Sequence, residues 1–89
     1  MKNIPTQLKI GGHIYKIKLV DHEEIDKDCG QQNRARNTIK IRNDLPKSQL
    51  EETIIHEVLH AINGDLKEET VDFLSNAIYA VLVDNKLLK

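Results

Sequence analysis

The first part of the chain alternates apolar and polar residues with a period of two. Within His13 to Val20, every second residue from Tyr15 to Leu19 is apolar, and a Gly11-Gly12 pair separates this segment from Leu8 to Ile10. Two consecutive glycines tolerate the positive φ angles that a two-residue hairpin turn requires. The chain is therefore predicted to open with a β-hairpin, which an acidic connection from Asp21 to Asp28 follows.

The same alternation returns from Thr38 to Arg42, after a weaker pattern that begins at Gln31. Arg36 and Asn37 suit a turn that folds a preceding strand back onto this one. We therefore expect a small antiparallel sheet of three or four strands within residues 1–45.

Beyond Pro46 the period changes to that of a helix. Ser48 and Glu51 have the spacing of a capping box, which predicts a helix over residues 48–63 that ends at Asn63-Gly64. Apolar residues fill about half of its circumference and predict a surface that faces the core. These residues are Leu50, Ile54, Ile55, Val58, Leu59, Ala61 and Ile62.

A second helix is predicted over residues 66–85, with Asp65 as its N-cap. The very short connection makes the two helices packing neighbours. The stripe expected to be buried consists of Val71, Leu74, Ile78, Val81 and Leu82. Strands first and helices afterwards indicate an α+β fold, and 89 residues make one domain.

Composition and charge exclude several classes of function. The 13 basic and 14 acidic side chains nearly cancel, so no overall field directs the chain to nucleic acid or anionic lipid. The longest apolar run, Ala80 to Val83, is far too short for a membrane span, and Met1 to Thr6 lack a signal-peptide pattern. A single cysteine, Cys29, cannot form an internal disulfide. We expect a cytoplasmic protein without membrane contact.

Candidate chemistry lies in the first helix, where His56, Glu57 and His60 form the pattern H-E-x-x-H. Side chains four residues apart share one helical face, so the two imidazoles can bind one tetrahedral ion. Zinc is the metal expected for this pattern, and Glu57 is then the base that acts on a water at the metal. The predicted metal ligands are His56 and His60, and the predicted catalytic residue is Glu57.

A third ligand is expected from the start of the second helix, since a catalytic zinc site uses three protein ligands and keeps its fourth position for water. Glu68 and Glu69 are the candidates. Glu68 stands three residues after Asp65, where a capping box would engage it, whereas Glu69 is free of that role. Glu69 is the preferred third ligand, and Glu68 is the alternative.

The segment Thr53 to Ile62, followed by Glu68 to Val71, resembles the compact zinc metallopeptidase-like proteins of phages and mobile elements that are related to the ImmA/IrrE group. The resemblance covers roughly the C-terminal half. It implies a zincin-like minimal metallopeptidase fold, a gluzincin-like zinc site and, in better understood members, cleavage of a repressor protein. In that group a glutamate ligand opens the second helix and a phenylalanine follows four residues later, an order that Glu69, Thr70 and Phe73 match.

The sequence therefore predicts a zinc-dependent metallopeptidase that acts on a peptide or protein. The alternative is a zinc-stabilised protein-binding module without catalysis. Nucleic-acid binding through the basic strand region ranks last because aromatic stacking residues are lacking nearby. That region consists of Arg34, Arg36, Lys40 and Arg42, which we interpret as charges on solvated strand edges. His13 and His22 are expected at the surface, and Cys29 is assigned no role.

Overall fold

The computed structural model describes residues 4–25 and 29–87, in which four strands precede two helices. The strands are β1 (Gln7–Ile10), β2 (His13–Val20), β3 (Gly30–Asn33) and β4 (Thr38–Arg42). The helices are α1 (Lys47–Ile62) and α2 (Glu68–Asp84), and a short 3-10 helix, His22–Glu24, follows β2. The α+β class that the sequence predicts is confirmed.

The sheet consists of two hairpins side by side, in the order β1-β2-β4-β3. β1 pairs antiparallel with β2 across Gly11 and Gly12, whose φ angles of 58° and 86° confirm the predicted hairpin turn. β3 pairs antiparallel with β4 across a turn in which Asn37 has a φ of 52°.

The inner strands β2 and β4 run parallel, so the expectation of a wholly antiparallel sheet is wrong. Alternation of apolar residues fixes which face of a strand is buried, but carries no information on the direction of its neighbour. β3 follows β2 in the chain but lies on the far side of β4 in the sheet. Residues 26–28 of the predicted acidic connection lie outside the described residues.

The core lies between one face of the sheet and α1. Ile39 and Ile41 of β4 are fully buried, and each contributes about 1.5–3 kcal/mol through its removal from water. The rest of this core cluster is formed by Ile10, Tyr15, Ile17, Leu50, Ile54 and Ala61. The strand alternation breaks at the end of β2, where Val20 is buried and Leu19 is exposed.

Both helices begin differently from the prediction. α1 begins at Lys47 after Pro46 without a side-chain cap, so the capping box of Ser48 and Glu51 is wrong. The Glu51 carboxylate instead accepts a hydrogen bond from the Tyr79 hydroxyl at 2.7 Å.

α2 begins at Glu68 and not at Leu66, and Asp65 is not its N-cap. The physical reason is a turn that precedes the helix, in which the side chain of Asn63 accepts the backbone N–H of Asp65 at 3.0 Å.

Within the described residues, α2 packs mainly on α1. Val71 and Ser75 are buried, but Val81 keeps 56% of its surface exposed and Ile78 keeps 38%. The predicted buried stripe is therefore right at its start and wrong towards its end, because one neighbouring helix covers only a narrow strip of α2. Ile62 of α1 was also expected in the core and is 61% exposed, since it lies about 100° around the helix from buried Ala61.

No helix in the described part of the chain is long and apolar enough to cross a membrane.

Gly30 marks the closest approach of β3 to α1. A Cβ atom at this position would lie 2.8 Å from Thr53 Cγ2, 3.0 Å from Ile41 Cδ1 and 3.1 Å from Glu57 Cγ. The absence of a side chain therefore sets the distance between this strand and the helix.

We expect Gly30→Ala to lower the free energy of unfolding by about 1–3 kcal/mol, because the added methyl group forces the helix and strand apart. Urea denaturation measures the change. Gly64→Ala is the matched control, since a Cβ there meets nothing nearer than the flexible guanidinium of Arg34 at 3.4 Å. Equal losses in the two variants would contradict this account of Gly30.

The hydrogen bond between Tyr79 and Glu51 predicts a pH dependence of stability. This bond, with a smaller effect of burial, raises the pKa of Tyr79 to about 12. Free tyrosine titrates near pH 10, so the contribution of the hydroxyl is complete below about pH 10 and is lost between about pH 10 and 12. Tyr79→Phe should cost about 1 kcal/mol at neutral pH, and the difference from the unmodified protein should shrink as the pH rises through this window.

The control is the same substitution in a Glu51→Ala background, where it should have little effect. A difference that stays constant from pH 8 to about 12 would show that this hydrogen bond does not contribute to stability.

Candidate metal centre

α1 places the two histidines of the H-E-x-x-H pattern on one face. His56 and His60 are one helical turn apart, their ring centroids are separated by 4.9 Å, and their planes meet at 63°. Both rings are mostly buried. His56 and His60 therefore lie on the same face of α1, as the sequence predicts.

Glu68, the first residue of α2, lies against both histidines. Its Oε1 is 2.6 Å from Nε2 of His56, and its Oε2 is 3.2 Å from Nε2 of His60. The five-residue connection 63–67 positions the helix start beside the last turns of α1. The N-terminal end of a helix also favours a carboxylate, because the helix dipole is positive there.

Asp72 adds a second carboxylate, which the sequence analysis missed. It follows Glu68 by one turn of α2, and its Oδ1 lies 3.2 Å from Nδ1 of His56. A carboxylate that accepts the Nδ1–H of an imidazole fixes the tautomer and leaves Nε2 free to bind a metal. The four-residue spacing of Glu68 and Asp72 places both carboxylates on one face of α2. That spacing points to Asp72 only if Glu68, and not Glu69, is the residue that meets the histidines.

The donor set fits a divalent metal such as zinc. One ligand atom from each of His56, His60 and Glu68 can be chosen so that all three lie within 4.8 Å of one another. Zinc bond lengths place tetrahedral ligand atoms about 3.4 Å apart, so side-chain rotations would have to widen the 2.6 Å contact between Glu68 and His56 to admit an ion. Two imidazole nitrogens and one carboxylate oxygen are a common catalytic zinc set.

Glu69 lies outside this group of three, although the sequence favoured it as the third ligand. α2 starts two residues later than expected, and neighbouring helical positions are separated by about 100°. The side chain that the structure brings to the histidines is that of Glu68, the alternative that the sequence left open, and Glu68 is therefore the candidate third ligand.

The candidate metal centre opens into a cleft of about 580 Å³ between β3, α1 and α2. The acidic residues that line it are Glu52, Glu57, Glu68 and Asp72. No lysine or arginine of the described chain lines this cleft. Its negative charge favours a divalent cation.

Glu57 lies at the side of the cleft next to β3. Only 7% of its surface is exposed, and its Cγ packs beside Gly30. Glu57 and the histidines therefore face one cleft, as a base that works beside a metal must.

The other residues singled out by the sequence lie apart from the three candidate ligands. Cys29 is exposed and lines the cleft near β3, whereas His13 and His22 are exposed elsewhere, as expected.

Comparisons with known proteins do not assign the chain to a family. No protein-family model, curated protein or solved structure matches it significantly. The resemblance to small phage metallopeptidase-like proteins, and with it the zincin-like fold, therefore stays a prediction.

The geometry predicts which glutamate holds the metal. Protein purified without chelator and supplied with zinc should hold about one ion per chain, measured by mass spectrometry of the native protein. We expect Glu68→Ala to weaken zinc binding by at least tenfold and Glu69→Ala to leave it unchanged. The two residues are adjacent and exposed, so each controls for the other. Loss of zinc binding in the Glu69 variant alone would make Glu69 the third ligand. Absence of zinc binding in the native chain and in both variants would show that the candidate metal centre is not a metal site.

Proposed function

We propose that the protein is a zinc-dependent metallopeptidase that hydrolyses peptide bonds. The observation that carries the proposal is the position of Glu68, whose two carboxylate oxygens meet the Nε2 atoms of His56 and His60. Glu57 faces the same open cleft. Two imidazoles, one carboxylate ligand and a nearby carboxylate base are the parts that metal-assisted hydrolysis of an amide requires.

His56, His60 and Glu68 would hold the metal, and Asp72 would keep the ring of His56 oriented through its Nδ1–H. When bound at such a site, zinc polarises a substrate carbonyl and lowers the pKa of a water molecule towards neutrality. The half-buried rings and the narrow approach of β3 to α1 limit the freedom of these side chains, which favours one arrangement of the ligands.

Glu57 is proposed to move the proton. Its carboxylate accepts a proton from the water whose oxygen attacks the scissile carbonyl carbon. The same carboxyl group then donates that proton to the nitrogen of the leaving amine as the C–N bond breaks. The products are a carboxylate and an amine, and Glu57 returns to its ionised form.

The position of β3 at the edge of the sheet, within the described part of the chain, supports an extended peptide as the substrate. Cys29 accepts the backbone N–H of Arg42 at 2.9 Å, and Gly30 is the register partner of Ile41. In an antiparallel pair, the backbone N–H and C=O of every second residue face the partner strand, and those of the residues between face away. Since Cys29 bonds to β4, the backbone groups of Gly30 and Gln32 point away from it. Both residues line the cleft, where a peptide strand could pair with them.

Gln32 offers a further acceptor in the cleft. Its side-chain Oε1 is buried and has no hydrogen-bond partner within the described structure. Buried acceptors without partners are uncommon in folded proteins, and a substrate N–H would satisfy this one. A regulatory protein with an unfolded segment, of the kind that the family resemblance suggests, is a substrate of the required form.

A zinc-stabilised binding module without catalysis is the second candidate. It is favoured by the small buried surface of α2, because a metal held by residues of both helices would fasten α2 to α1. This candidate predicts that a chelator releases α2 and that no peptide is cleaved.

The replacement Glu57→Gln separates the two candidates. We expect it to retain zinc and to lower the rate of hydrolysis of a fluorescently labelled, unfolded protein by at least about 100-fold, because the amide cannot accept the proton. Glu52→Gln is the matched control, since Glu52 also comes from α1 and lines the cleft.

Undiminished turnover by zinc-loaded Glu57→Gln protein would rule out this mechanism. Zinc binding without any hydrolysis by the native chain would favour the binding module.

A further inference from the structure

A second hollow, of about 500 Å³, lies at the turn of the β3–β4 hairpin. The cleft of the candidate metal centre lies at the opposite end of this hairpin, where Cys29 is located. The hollow is bounded by the β1–β2 turn, the β3–β4 turn and the end of α1. Its lining shares no residue with the cleft of the candidate metal centre, so it is a separate site. Its volume falls within the range of small-ligand pockets, about 300–1,000 Å³.

The inner wall of this hollow is apolar. Ile10, Tyr15 and Ala61 are buried side chains of the core that line it. Ile62 forms a further part of the lining and is among the most exposed apolar side chains of the described chain. An apolar group placed here would be removed from water and would cover part of Ile62, both of which favour binding.

The polar part of the lining carries one formal positive charge, that of Arg34. Arg34, His13 and Asn37 line the hollow, and no acidic residue does so. Among the basic residues of the strand region, Lys40 is paired with Glu24 at 3.0 Å and Arg42 with Asp44 at 2.7 Å.

Arg34 has no acidic partner in the ranges 4–25 and 29–87. Its guanidinium lies beside the turn after α1, where Nη1 is 3.4 Å from the place of a Cβ on Gly64. Arg34 also lines the hollow, and a guanidinium offers a fork of N–H donors that suits a carboxylate.

We propose that this hollow binds the C-terminal residue of a peptide or protein with an apolar side chain. The α-carboxylate would pair with Arg34, and the side chain would rest on Ile10, Tyr15 and Ile62. A C-terminal residue carries its carboxylate and its side chain on one carbon atom, so a single small hollow can receive both. The site requires neither the metal nor the peptidase activity.

The first experiment is a titration of the ¹⁵N-labelled full chain with N-acetyl-Ala-Leu, followed by NMR. The free acid is expected to shift the amides of residues 10–13, 34–37 and 61–62 and to leave those of residues 30–32 unchanged. The C-terminal amide of the same peptide should bind at least about tenfold more weakly, because it has no charge to pair with Arg34.

Variants test separately the contact with the carboxylate and the contact with the apolar side chain. Arg34→Gln should weaken binding of the acid about tenfold and leave binding of the amide unchanged. Arg36→Gln is the matched control, because Arg36 belongs to the same exposed turn and does not line the hollow. Ile62→Ser, at an exposed position that should not disturb folding, should weaken acid and amide alike.

Three outcomes would overturn the proposal. They are equal binding of acid and amide, equal loss in the Arg34 and Arg36 variants, and shifts confined to the cleft of the candidate metal centre. A fourth outcome would overturn it as well: hexanoate that binds as tightly as the peptide acid would assign the hollow to small aliphatic acids and not to a chain terminus. These experiments measure neither zinc binding nor hydrolysis, so failure of this proposal is distinguishable from failure of the proposed function.

Discussion

The contact of Glu68 with His56 and His60 joins the start of α2 to the last turns of α1. α1 is held by the sheet, whose buried isoleucines give it an extensive apolar support. α2 has no comparable support, since Val71 and Ser75 are its buried residues in the described structure. The buried Val71 and the polar contacts between the helices together position α2, and the proposed chemistry depends on the polar contacts of Glu68.

Features set by local sequence could be predicted, and features set by distant contacts could not. The hairpin at Gly11-Gly12 and the shared face of His56 and His60 follow from turn chemistry and helical period, which involve residues close in the chain. The parallel pairing of β2 with β4 brings together segments about twenty residues apart, and alternation is silent about it. The start of α2 was misplaced by two residues because the side chain of Asn63 builds a turn first.

The same turn also affected the predicted site, because the preference for Glu69 assumed that Glu68 belonged to a capping box with Asp65. On a helix, the next residue points about 100° away, so the choice between Glu68 and Glu69 depends on the exact position of the helix relative to α1. Asp72 follows Glu68 by one helical turn, so the position that brings Glu68 to the histidines also brings Asp72 to His56. The pair of histidines needed no such information, because both belong to one helix. Ligands from a single element are thus predictable from spacing, whereas ligands from a second element require the packing.

The parallel register between β2 and β4 also has a consequence for the order of folding. Each hairpin pairs residues close in sequence and can form early, on the microsecond scale of isolated hairpins. The buried face that contains Ile17, Ile39 and Ile41 exists only after the two hairpins meet side by side, which closes a longer loop and costs more chain entropy. We therefore expect this encounter to be the slow step of folding. Weakened β2–β4 contacts would then slow folding, and a loosened α2 would mainly speed unfolding.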